Sequence, residues 1–379
     1  MSSLEPPAVP PSGSVSGRLQ SLDALRGFNM FWIIGGDDLI TAIMDKSHNR
    51  MVTQVKGNLT GHVEWVGFHF YDMIFPLFLF IAGVALPYAI TKQLEKGHTR
   101  RQIAISIVKR TFTLFFLGLV YNGLLRFNGI DHLRIMGVLQ RQALGYGAAA
   151  LIYLYAPRKK QMITIAVALL LGYWAAMALI HVPGAPTGSM TQTGNLANYI
   201  DRVLFRPGQL YRPYGDPEGP FSTIPAVATA ILGALAGKWL RTDHKAEKKA
   251  AGLLAAGVAL IAVGYVWGLW FPIIKKIWTS SYVLYAGGWS LLLLALFYWL
   301  IDVRGYRRWS LFFVVIGVNP ITIYLMQEFV NFEETAKFFV GGALAHFPLA
   351  QPILLTASIV GIKWLVLRFL DRQKIYLRA

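Results

Sequence analysis

The chain has 379 residues, 55% of them hydrophobic and only 15% charged, with a mean hydropathy of +0.47 and no cysteine. Soluble domains carry about 25% charged residues, so this deficit, with 11 Trp and 17 Tyr, points to a chain solvated mostly by lipid. The absence of cysteine excludes disulfides, thiolate metal sites and cysteine nucleophiles; the net charge of +17 falls in short clusters between apolar runs, the pattern of topology determinants and not of nucleic-acid binding.

The opening MSSLEPPAVPPSGSVSG is rich in Pro, Ser and Gly and has no basic segment followed by an apolar one. Residues 1–20 are therefore expected to form a disordered cytoplasmic tail, not a signal peptide. A membrane span takes about 20 mostly apolar residues. Ten runs qualify, at 25–44, 67–90, 103–125, 135–156, 161–181, 221–240, 250–271, 282–301, 310–331 and 350–370. Residues 21–379 thus read as one all-α, polytopic integral membrane helix bundle of about ten transmembrane helices.

The connections alternate in charge. About 24 basic residues fall on the side of both termini and about 12 on the other, which predicts cytoplasmic N- and C-termini. On the base-poor side lie two long connections, 45–66 and 182–220. The second contains the apolar-periodic piece LANYIDRVLF and is expected to be an ordered cap over a cavity, since loops this long are usually functional or disordered.

Several polar residues interrupt the outer halves of the predicted spans. In GHVEWVGFHFYDMIFPLFLF, a helix starting near Trp65 puts His62 in the turn before it and His69 and Asp72 on one face. Pro76 lacks an N–H, so the carbonyl of Asp72 is expected to lose its helical partner and the helix to kink. FWIIGGDDLI carries Asp37 and Asp38, RIMGVLQRQ carries Arg134, Gln140 and Arg141, and GVNPITIYLMQEF carries Asn319, Gln327 and Glu328. Ionisable groups within spans are costly and usually face a cavity or a partner. Together with the loop acids Asp216 and Glu218 they imply one polar cavity at the outer face, although a purely structural network would also account for them. His62, His69 and Asp72 have no second cluster of metal-ligand type in the sequence, so no metal site is expected. The residues by themselves leave both an enzyme and a transporter open, with Asp37 and Asp72 as proton carriers in the second case.

GRLQSLDALRGF followed by HVEWVGFHFYDMIFPLFLFIAG, then RIMGVLQR, VPGAPTG, YIDRVLF, DPEGPFSTI, LGALAGK, IWTSSYVL and GVNPITIYL, resembles the heparan-α-glucosaminide N-acetyltransferase family of transmembrane acyltransferases. The motifs occur in order from Arg18 to about Glu328. Lysosomal members carry a further lumenal domain and a preceding span, so this chain looks like a bacterial member, placed in the inner membrane. The resemblance implies transfer of the acetyl group of cytoplasmic acetyl-CoA to an amino-sugar or glycan acceptor on the other side, with His62 as the active histidine. A family asparagine near the end of the first helix falls on Asp37, a departure from the pattern.

On that reading His62 is the general base, Asp37 or Asp72 orients its imidazole, and Asn319 donates to the developing oxyanion. Arg100, Arg101, Arg110, Arg241, Arg307 and Arg308 are the candidates for the CoA phosphates. Asp216, Glu218 and Glu328 are the candidates for the acceptor. O-acyl transfer to an exported glycan, proton-coupled amino-sugar transport, an acetyl-histidine intermediate and homodimerisation all stay open.

Overall fold

A computed structural model describes residues 19–45, 49–127 and 129–377; the expected disordered tail lies almost wholly outside them. The helices are α1 (Gln20–Phe31), α2 (Asp37–Met44), α3 (Arg50–Thr60), α4 (Ile74–Glu95), α5 (Arg100–Tyr121), α6 (Val138–Tyr155), α7 (Lys159–Leu179), α8 (Leu196–Leu204), α9 (Pro220–Leu240), α10 (Ala246–Gly268), α11 (Ser280–Phe297), α12 (Leu311–Gly317), α13 (Pro320–Phe329), α14 (Phe332–Leu344) and α15 (Gln351–Arg372). Among the described residues there is no strand, only an isolated bridge between Arg212 and Gly215. The all-helical membrane fold read from the sequence is borne out.

Among the described residues seven helices are long and apolar enough to cross a membrane, and α12 and α13, bent against each other, pass the same test only when taken together. The other two expected spans are present as helices but are less apolar. The segment α1–α2 carries Asp23, Arg26, Asp37 and Asp38, and α6 opens with Gln140, Arg141 and Gln142. Polar residues lower the apolarity of these two segments because they serve the interior of the bundle, where Asp23, Gln140, Arg141 and Gln142 are all buried.

Two spans are broken, each for a local reason. A π-helical turn over Trp32–Gly36 separates α1 from α2, with Gly35 at φ +134°, a conformation that side chains resist. The break between α12 and α13 bends the chain by 71°. There Pro320 opens α13, and Asn319 before it stands at φ −131°, ψ 48°, outside the helical region that a following proline ring disfavours. The expected single span at 310–331 is therefore two half-helices.

α4 and α9 form the centre. A Cβ on Gly83 would lie 2.1 Å from the carbonyl oxygen of Ala230, and one on Gly233 2.0 Å from that of Phe80. The two backbones can touch only because small residues face each other, the usual solution where lipid supplies no hydrophobic drive between helices. Around them pack α6, α7, α10 and α11, while α1 lies against α12. At one end of the bundle the connections carrying His62, Arg134, Asp216 and Lys275 meet; at the opposite end Gln20 bonds to Ser310 and Lys238 to the carbonyl of Pro157.

Candidate active site

The sequence 61–73 does not continue a span. It is an irregular loop closed by a 3-10 turn, Phe70–Met73, before α4 begins at Ile74. Asp72 accordingly lies at the mouth of the helix, not two turns within it, and Pro76 occupies the first turn of α4, where a missing N–H costs no bond. The expected kink at Pro76 is thus replaced by a helix start. The carbonyl of Asp72 nevertheless lacks a helical partner, and the hydroxyl of Tyr282 on α11 donates to it at 2.7 Å.

Asp72 organises the loop. Its side chain is only 1% exposed; Oδ2 accepts the backbone N–H groups of Val63 (3.2 Å) and His69 (3.0 Å), and Oδ1 lies 2.8 Å from His62 Nδ1. His69 is not a second active-site histidine. Its Nδ1 is 3.0 Å from the carbonyl oxygen of Gly61, which ties the two ends of the loop together. A carboxylate oxygen can only accept, so Asp72 Oδ1 favours the tautomer with its hydrogen on Nδ1, which leaves Nε2 as the acceptor.

Two other connections complete the site. Trp65 Nε1 donates to the carbonyl of Met190 at 2.7 Å, and the N–H of Gly67 to that of Ile273 at 2.9 Å. From the connection between α10 and α11, the 3-10 turn Lys275–Ile277 presents Lys275, whose Nζ is 2.9 Å from His62 Nδ1, 3.3 Å from Nε2 and 3.4 Å from Asp72 Oδ1. Burial lowers the Lys275 pKa from the ordinary lysine value, with the carboxylates of Asp72 and Glu218 opposing. Nothing in the pattern of spans pointed to Lys275. The available signal was a Lys-Lys pair at the base-poor end, against the charge bias of the chain.

Asp37 reaches the site through an intermediary. Tyr71 donates its hydroxyl to Asp37 Oδ2 at 2.8 Å and lays its ring against that of His62, centroids 4.9 Å apart. Asp37 therefore holds Tyr71, and Asp72 alone of the two aspartates orients the imidazole. Arg134 binds Asp216 through two parallel bonds of 2.8 Å and Glu218 at 2.5 Å, stacked on Tyr211. Burial raises the Glu218 pKa against the pull of Arg134.

Asn319 and Glu328, both expected at the site, are elsewhere. Asn319 donates from Nδ2 to the carbonyl of Ile375 (2.8 Å) and accepts the N–H of Leu377 (3.2 Å) on Oδ1. Its amide is consumed by the segment after α15 at the opposite end, so it is unavailable to an oxyanion near His62. Glu328 forms an ion pair with Arg126 at 2.6 Å and does not line the cavity at His62.

That cavity, about 260 Å³, is a largely apolar crevice that ends on His62, Tyr71, Glu218 and Lys275. A second cavity of about 740 Å³ is walled by Arg26, Gln93, Lys109 and Arg110. Both are lined by Phe78, Gln142 and Ile321, so the two abut in the middle of the bundle. Of the six arginines expected to face a nucleotide, only Arg110 lines the second cavity. Arg241 is used within the fold, bonded to the carbonyl of Pro87 and the hydroxyl of Thr91. Arg100, Arg101, Arg307 and Arg308 are exposed at the opposite end and line neither cavity. Arg26, which also bonds to Asp23 and to the carbonyl of Gly317, and Lys109 line that cavity beside Arg110, and nothing in the sequence marked either of them.

A family model described as a domain of unknown function (DUF5009) matches residues 18–180. The chain is 29% identical over 324 residues to the heparan-alpha-glucosaminide N-acetyltransferase of Homo sapiens, covering 70% of this chain and 48% of that protein. It is 28% identical over 328 residues to the protein of the same name from Mus musculus, covering 70% and 49%. The chain spans about half the length of the curated relatives it matches. The resemblance read from the motifs is borne out: the relatives it matches are named as N-acetyltransferases.

Proposed function

We propose that this chain is a transmembrane acetyltransferase, which takes the acetyl group of acetyl-CoA at the cytoplasmic end and passes it to the amine of a glucosamine-like sugar at the extracytoplasmic end. The observation that carries the reading is the meeting of the two cavities at Phe78, Gln142 and Ile321. One is basic and the other ends on a histidine held by a buried carboxylate. The relatives' name supplies the reaction class, and the excess of basic residues at the termini side supports the orientation.

The residues present suit the co-substrate. Arg26, Lys109 and Arg110 would face its phosphates. At the junction Gln142 is buried and its Oε1 has no hydrogen-bond partner. A buried acceptor left unpaired is costly, and an amide N–H of the pantetheine arm would satisfy it. The apolar crevice beyond, lined by Met30, Ile74, Phe75 and Leu139, excludes water from the thioester.

At the far end the acceptor amine, mostly protonated at neutral pH, must lose a proton before it can attack. His62 Nε2 takes a proton from the attacking nitrogen, a role worth typically about 10²–10⁴-fold. Asp72 fixes the tautomer through Nδ1, Tyr71 packs the ring, and Asp37 holds Tyr71. Glu218 faces the crevice from the clamp of Arg134 and Asp216 and is the acidic group nearest to hand for a cationic acceptor.

The test is CoA release by purified chain given acetyl-CoA with glucosamine, N-acetylglucosamine or glucose. Release that depends on glucosamine is expected. Release with no sugar preference, or counterflow uptake of glucosamine without acetyl-CoA, would overturn the reading.

A further inference from the structure

We propose that Lys275 is a catalytic group of this transfer: its ammonium binds the carbonyl oxygen of the thioester beside His62 and holds the negative charge that develops there. The inference rests on the acetyl-transfer reading and adds to it the group that stabilises the tetrahedral intermediate.

The geometry leaves this place to Lys275. Asn319, the expected donor, is occupied at the opposite end. Lys275 leaves a rigid turn: Ile274 and Ile277 are fully buried, and the N–H of Ile274 is held by Thr279 Oγ1 at 3.0 Å. Its Nζ lies within 3.3 Å of both imidazole nitrogens. One ammonium cannot lie along both of their diverging in-plane directions, and Nδ1 already gives its hydrogen to Asp72. The ammonium carries three N–H groups, and the imidazole engages one of them. The carboxylate beside it, Asp72 Oδ1, is at 3.4 Å, long for an ionic bond. An N–H is therefore left for the crevice that Lys275 lines. A carbonyl oxygen bound there places the carbonyl carbon next to an amine bonded to Nε2. The charged groups facing Nζ are Asp72, Glu218 and Lys276.

In the step, the amine nitrogen bonds to the carbonyl carbon and the C=O π pair moves to the oxygen at Lys275. His62 Nε2 takes a proton from that nitrogen. The pair returns, the C–S bond breaks, and the imidazolium gives its proton to the thiolate. The products are amide and CoA thiol, and Lys275 keeps its protons throughout. Charge stabilisation of this kind by one donor is worth about 10²–10³-fold in rate.

The experiment compares two inert ligands, S-ethyl-CoA, which has no carbonyl, and the ketone analogue of acetyl-CoA in which CH₂ replaces sulfur. Wild-type protein is expected to prefer the ketone by about tenfold. Lys275→Met should abolish that preference and lower kcat by about 100-fold, leaving S-ethyl-CoA affinity and the acceptor KM within threefold. Lys276→Met, whose ammonium bonds to the carbonyl of Glu64 and not to His62, should keep both. Retained ketone preference, or kcat within threefold of wild type, in Lys275→Met overturns the proposal. An independent reading needs no variant: the ¹³C-labelled ketone stretch should move to lower wavenumber on binding wild type, and an unshifted band also overturns it. Wild type that binds neither ligand and releases no CoA refutes acetyl transfer itself, a separate outcome.

Discussion

The backbone carbonyl of Asp72 accepts a hydrogen bond from the hydroxyl of Tyr282, 210 residues away, at 2.7 Å. The same aspartate's side chain binds His62, so one residue joins the start of α4 to α11 through its backbone and to the imidazole through its carboxylate. Tyr282→Phe leaves that carbonyl buried without a donor. We expect a loss of about 1–3 kcal/mol, read as a lower thermal transition in detergent. An unchanged transition would show that the bond contributes nothing.

His62→Ala should lower acetyl transfer by about 10²–10⁴-fold while acetyl-CoA binding stays within threefold, because Arg26, Lys109 and Arg110 lie in the other cavity. Equilibrium binding and turnover on the same preparation separate the two. Wild-type turnover with Ala at position 62 ends the assignment.

Asp72→Asn is predicted to act through the tautomer. Oδ2 receives two backbone N–H groups, so the amide oxygen takes that place and the amide nitrogen faces Nδ1. The imidazole must then accept at Nδ1 and carry its hydrogen on Nε2, the wrong arrangement for a base, as in the equivalent serine-protease substitution. Turnover should fall by about 100-fold or more, with folding near wild type. If Asp72→Asn keeps full turnover, Asp72 only closes the loop.

On α8, burial, with the negative charge of the Asp216 carboxylate, pushes the Asp201 carboxyl up to about 7 from an ordinary 3.8, against the hydrogen bond it accepts from the Asp216 N–H. The folded state then retains a proton that the unfolded state releases, so stability is greatest below about pH 4 and falls as pH rises towards 7. The contribution is on the order of a few kcal/mol. Asp201→Asn, which still accepts the N–H of Asp216, should raise the melting temperature at pH 8 and flatten its pH dependence. A parallel pH curve for the variant would contradict this.

Asn319→Ala releases the segment that follows α15. Leu377 forms part of the wall of the basic cavity, so the acetyl-CoA KM should rise several-fold with kcat nearly unchanged. A fall in kcat of about 100-fold at constant KM would restore the oxyanion role that the geometry denies to Asn319.

Composition and periodicity by themselves determined that this is a helical membrane chain, because about 20 apolar residues in lipid must satisfy their own backbone and can do so as helix. They also determined that Asp72 has a carbonyl in need of a donor, since Pro76 brings none; that His62 reaches the Asp72 carboxylate was decided by the loop that stands where a helix was expected. Motif resemblance singled out His62 as the reactive group. What lay between elements was decided only by the tertiary structure. A polar residue in a span requires a partner, but its sequence does not say which, and Asn319 found the chain's last residues while Lys275 found a histidine 213 residues away. The breaks at Trp32–Gly36 and at Asn319 turn side chains out of the helical register from which faces are read. Glycine contacts set α4 and α9 at a distance that no hydropathy run records. Arg110, midway along α5, lines the basic cavity, and Arg241, at the end of α9, does not. That difference depends on which helix packs beside each, a property of the assembled bundle alone.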